Sequence, residues 1–148
     1  MYTKDEKAEI WLDSFRLDYN KKAQIYRLCA EPYALVRQFS QLRAKVNAVA
    51  GEEICSAMEK SLSSSEYMRS ILAKYNEKGI TCVAFSSALY PEDLRQISDP
   101  PLVLYCRGNA ELLQERKFAI VGSRRTPPAM VKQTERFSSE LSEHFVIV

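Results

Sequence analysis

Apolar residues recur at helical spacing from about residue 7 to residue 78, and in short dense runs after that. Ile10, Trp11, Leu12 and Phe15 mark a first helical face, and Ile25, Tyr26, Leu28 and Cys29 a second. Pro32 follows Glu31, and proline suits a first helical turn, so a third helix starts there with Tyr33, Leu35, Val36 and Phe39. Gly51 breaks a fourth stretch, and Ile54, Ala57 and Met58 give a brief fifth. Ser63 to Glu66 reads as a capping box for a last helix carrying Tyr67, Met68, Ile71, Leu72 and Tyr75. Gly79 stands where a left-handed residue past the helix end is wanted.

After Gly79 the period changes. Ile80–Phe85, Leu102–Cys106, Phe118–Val121 and Phe145–Val148 are short apolar or β-branched runs that predict four strands. Between the last two runs, Met130, Thr134, Phe137 and Leu141 share one face of a predicted helix. Strand, glycine turn, helix and strand make a βαβ unit, the building block of a parallel sheet. The expected class is therefore α/β: a helical domain over residues 1–78, then the first part of a nucleotide-type fold over 79–148. Parallel strands are covered on both faces, so further covering elements are expected past Val148.

Composition narrows the chemistry. The chain has 148 residues, 46% of them apolar, with 21 basic and 19 acidic side chains and a net charge of +2. That balance neither demands nor excludes nucleic acid, so a phosphate site must be argued from local placement. Cys29, Cys55, Cys82 and Cys106 lie far apart and His144 is the only histidine. No zinc pattern results, no metal or other cofactor is expected, and a Ser-His-Asp relay would depend wholly on His144. The N-terminus is charged, and no apolar run reaches the roughly 20 residues that span a bilayer, so a cytoplasmic protein is expected.

The candidate chemistry lies after the third strand run. A strand that feeds a helix through Gly122-Ser123 gathers backbone N–H groups near a helix N-terminus, a setting that favours anions. Gly122 permits close approach of a phosphate, Ser123 and Thr126 offer hydroxyls, and Arg124 can grip a phosphate with two parallel N–H bonds. Arg125 and Lys132 extend the positive track. Neither a Walker loop nor a G-x-G-x-x-G fingerprint is present, and no nucleophile and base are paired beside the turn. A solvated turn with free arginines is the plainer reading of the same residues.

Four blocks, taken in order, carry more information. Tyr90-Pro91-Glu92-Asp93-Leu94, Ile97-Ser98-Asp99-Pro100-Pro101, Leu104-Tyr105-Cys106-Arg107-Gly108-Asn109 and Ala119-Ile120-Val121-Gly122-Ser123-Arg124 resemble the DprA/Smf family of DNA-processing proteins in order and spacing. The resemblance covers roughly residues 80 to 148. It implies a Rossmann-like domain behind a small helical, SAM-like one, and a homodimer that binds single-stranded DNA and hands it to the RecA recombinase during natural transformation. It also implies contact between the DNA backbone and Gly122, Ser123 and Arg124, and a binding protein rather than an enzyme. Pro128-Ala129-Met130 stands where family members carry a tyrosine-glycine pair. The competing reading is an enzyme of a related Rossmann-like fold acting on a nucleoside monophosphate.

Overall fold

Thr3 opens the first helix with a reciprocal cap: its hydroxyl accepts from the Glu6 amide at 3.1 Å and the Glu6 carboxylate accepts from the Thr3 amide at 2.6 Å. The computed structural model describes residues 1–148, the side chain of Ser65 excepted. Six helices follow in sequence: α1 (Lys4–Asp13), α2 (Tyr19–Tyr26), α3 (Pro32–Arg37), α4 (Phe39–Ala50), α5 (Glu52–Leu62) and α6 (Ser65–Glu77). Pro32 does open α3, and Gly51, at φ +87°, separates α4 from α5. At α6 the expected cap shifts by one residue. Ser64, not Ser63, is the N-cap, accepting from the Glu66 amide, while the Ser63 hydroxyl turns back to the Glu59 carbonyl.

These helices enclose a core of Trp11, Leu12, Ile25, Leu35, Phe39, Val46, Ala50, Cys55 and Met58. Its indole is answered: the N–H of Trp11 donates to Ser61 Oγ at 2.8 Å, and that hydroxyl donates to the Met58 carbonyl. A second cluster joins Ile10 of α1 to Cys82, Ala84 and Val103 of the strands β1 (Ile80–Ala84) and β2 (Val103–Arg107).

β1 and β2 form an antiparallel pair, with Ile80 opposite Arg107 and Ala84 opposite Val103. This corrects the expectation of one parallel sheet running through all four strands. Between them lies only α7 (Glu92–Arg95), a single turn too short for the helical crossover that parallel neighbours need. The connection folds back instead, and Phe85 continues the ladder by donating to the Leu102 carbonyl at 2.9 Å. The parallel pairing is confined to β3 (Lys117–Phe118) and β4 (Val146–Ile147), which flank α8 (Pro128–Leu141). Both strands are shorter than their apolar runs.

The fold is thus a mixture of helices with two small sheets. Two compact units result, Met1–Ala110 and Glu111–Val148, so the change from helix to strand at Gly79 falls inside the first. No described helix is long and apolar enough to cross a membrane.

Candidate nucleic-acid interface

In the second unit the site is built on the β3–β4 ladder. Val146 donates to the Arg116 carbonyl at 2.8 Å, Val148 to Phe118 at 3.0 Å, and Ile120 to Val148 at 2.9 Å. Phe118 and Phe145 lie with ring centroids 5.8 Å apart, and the Arg116 guanidinium covers Phe145 at 4.8 Å. The chain leaves the ladder after Ile120, and Val121 is 90% exposed.

The next six residues form a polar turn. Ser123 Oγ accepts from the Arg125 amide at 3.2 Å, and the Thr126 hydroxyl donates to the Ser123 carbonyl at 2.6 Å. Thr126 therefore uses its hydrogen inside the turn, whereas the Ser123 hydrogen stays free to donate. The backbone N–H groups of Gly122, Ser123 and Arg124 have no partner among the described residues. Unused donors beside a guanidinium suit an anion. Gly122 has no positive φ, and a Cβ placed there would meet open space, so no backbone constraint within the chain requires glycine.

The helix enters differently from the sequence reading. α8 begins at Pro128, four positions beyond Arg124, so Gly122 to Arg124 do not form its first turn. Pro128 lacks an N–H, and Met130 and Val131 both donate to the Pro127 carbonyl, leaving only Ala129 in that turn with an unused amide. Arg124, Arg125 and Lys132 are exposed, and none has an ion-pair or side-chain hydrogen-bond partner among the described residues. By contrast, Arg136 of the same helix holds Glu140 at 2.8 Å. The face carrying Met130, Thr134 and Phe137 is exposed, with Leu141 half-buried.

The first-unit motif residues have other work. Tyr90 is 2% exposed and donates to the Pro101 carbonyl at 2.7 Å, fixing the loop that enters β2. The Arg95 guanidinium lies 4.9 Å from both the Phe85 and Tyr90 rings and donates to the Phe85 and Ser87 carbonyls. Gly108 supplies a left-handed turn at φ +98°. Tyr105 donates to Asp13 at 2.6 Å, which pushes its hydroxyl pKa upward, together with burial as the larger cause.

Glu9, unremarked in the sequence, is the linchpin of this loop. Its carboxylate is 1% exposed, accepts from the Ser86 amide and hydroxyl at 2.9 and 2.7 Å, and accepts from Tyr26 at 2.7 Å. Burial pushes its pKa up, against the pull of these hydrogen bonds. Nothing in a charged N-terminal helix distinguishes Glu9 from Glu6 by pattern. Among the described residues no cluster of histidine, cysteine and carboxylate side chains could hold a metal ion.

Comparison with known proteins shows where this assembly of motifs occurs. Residues 81–148 match the model of the family described as DNA recombination-mediator protein A. Over this segment the chain is similar to that family. The segment includes both the anchored Tyr90–Gly108 motif and the open turn. The chain is 47% identical over 64 residues to DNA processing protein DprA of Bacillus subtilis (strain 168), covering 43% of this chain and 21% of that protein. It is 41% identical over 59 residues to DNA processing protein DprA of Streptococcus pneumoniae, covering 40% and 21%. With Protein Smf of Borreliella burgdorferi it shares 37% identity over 60 residues, covering 40% and 19%. The chain thus aligns with about a fifth of the length of these curated relatives. No solved structure matches it at a significant level.

Proposed function

We propose that the chain is part of a single-stranded-DNA-binding protein that delivers strands to the RecA recombinase during DNA uptake, acting by binding rather than catalysis. The observation that carries this reading is the family match over 81–148, which contains the turn from Gly122 to Arg124. The names of the relatives, DNA-processing proteins and a recombination mediator, support the same direction. The physical support is local. Arg124 and Arg125 are exposed and unpaired beside unused backbone donors, the combination that binds phosphate oxygens without reading bases.

In this reading Gly122, Ser123 and Arg124 hold the backbone, while Arg125 and Lys132 prolong the track and Thr126 stiffens the turn. The functional division is a small helical, SAM-like domain over 1–78 and a Rossmann-like, dimerising domain from 79 onward. The protein works in the cytoplasm without a cofactor.

Titration of a labelled oligonucleotide against the full-length protein, beside labelled AMP, tests the reading. Oligonucleotide binding that weakens steadily with salt is expected, because phosphate contacts release counterions. Tight AMP binding at the turn with no affinity for the strand would replace it by the nucleoside-monophosphate enzyme.

A further inference from the structure

We infer that the cleft between α2 and the connection entering β2 is a nucleotide-binding site, independent of the glycine turn and using none of its residues. The cleft measures about 470 Å³ and is lined by Tyr19 and Tyr26 of α2 and by Phe85 and Leu102, which flank the strand pair. That size is usual for small-molecule sites, which run from about 300 to 1,000 Å³. An aromatic wall of this kind suits a flat heterocycle, since every base has a π-face to stack or pack.

The wall is held in place before any ligand arrives. Tyr26 is fixed through its hydroxyl to Glu9 and meets Phe85 edge-on at 6.2 Å. Arg95 backs Phe85, and Tyr19 bridges the two sides by donating to the Ser98 carbonyl at 3.2 Å. Rings already ordered lose little entropy on binding.

The polar groups at the cleft sort by whether they are already used. Lys22 and Asp13 pair at 2.7 Å, and the second Asp13 oxygen accepts from Tyr105. Arg27 lines the same cleft, is exposed, and has no ion-pair or side-chain hydrogen-bond partner among the described residues. Asp99 also lines it and commits only Oδ1, which accepts from the Ser98 hydroxyl at 3.2 Å. A free guanidinium takes a phosphate by a two-pronged bond, and a free carboxylate oxygen accepts from an exocyclic amine. A ligand with a flat ring, an amine on its edge and a phosphate satisfies all three features together. That ligand is a nucleoside monophosphate with an amino-bearing base, either free or as one unit of a single strand.

Amide NMR of the full chain, titrated with dAMP, deoxyadenosine, inorganic phosphate and hexadeoxyadenylate, tests the assignment. Shifts centred on Tyr19, Ala23, Arg27 and Leu102 are expected with dAMP, with the hexamer, or with both. The monophosphate alone would identify a free nucleotide as the occupant, and the hexamer alone a strand. Arg27→Ala should weaken the nucleotide about tenfold and leave deoxyadenosine unchanged, the loss of one charged hydrogen bond. Arg124→Ala should leave these shifts intact, which separates this site from the glycine turn. Silence with both nucleotide probes, the same pattern from inorganic phosphate alone, or an equal loss for deoxyadenosine in Arg27→Ala would overturn the assignment.

Discussion

Arg95 in the first unit and Arg124 in the second are arginines of one family segment put to opposite use. Arg95 is held between Phe85 and Tyr90, donates to two carbonyls and pairs with Glu92 at 3.2 Å. Arg124 has no ion-pair partner among the described residues and lies in a stretch where every residue from Val121 to Met130 is exposed. The same contrast holds for each unit by itself. Met1–Ala110 buries Ile10, Leu12, Ile25 and Met58 completely or nearly so, whereas no described residue of Glu111–Val148 is buried. Polar groups already answered inside a core cannot be offered to a ligand, whereas those of the open turn can.

The difference breaks most visibly in unfolding experiments. Ile25→Ala should cost about 3–4 kcal/mol, since Ile25 is fully buried and its truncation leaves a cavity in the core. Phe137→Ala, half exposed on α8, should stay within about 0.5 kcal/mol. Urea midpoints followed by the single tryptophan, Trp11 in the first core, would read the former directly. A Phe137→Ala loss as large as that of Ile25→Ala would contradict the contrast.

Glu9→Ala is the next largest effect. It leaves the Ser86 amide and hydroxyl and the Tyr26 hydroxyl without their acceptor, which should cost about 2–3 kcal/mol. The sign of the pH effect follows from burial. A carboxyl whose folded pKa is raised favours the fold below its unfolded value of about 4.3, and that contribution fades as pH rises through the folded value. The stability advantage of the wild type over Glu9→Gln should therefore shrink as pH is raised from about 4 through the raised folded value. An advantage that grows over this interval would reverse the assignment. Tyr90→Phe, losing one hydrogen bond to Pro101, should cost only about 1 kcal/mol, checked by the same midpoints.

The helices were legible because their signals are local. Pro32 and Gly51 punctuate the chain where helices start and stop, and Trp11, Ile25 and Phe39 repeat at helical spacing. The β1–β2 pairing was not legible, because an apolar run such as Ile80 to Phe85 states that a strand is buried but not which way its neighbour runs. That direction follows from the connection, in which α7 is too short for a crossover and Tyr90 is tied back to the Pro101 carbonyl. The turn at Gly122 was found by its residue types, but its relation to α8 was not. Pro127-Pro128 delays the helix, so the motif stands ahead of the first helical turn. Arg116 covers the Phe145 ring, a contact that no sequence pattern announces.

The central claim is that Arg124 grips a phosphate, and the most direct test compares Arg124→Ala with Arg136→Ala in the full-length protein. Single-stranded DNA binding is measured across salt concentrations and several base sequences. Arg124→Ala should weaken binding by roughly tenfold to a hundredfold, since a charged hydrogen bond contributes about 1.5–3 kcal/mol. The loss should be alike for all sequences, the salt dependence should become shallower, and Arg124→Lys should restore part of the affinity. Arg136→Ala, which removes a cation already paired with Glu140, should change little. Equal losses for the two alanine variants, or a loss at Arg124 that depends on base sequence, would contradict the account.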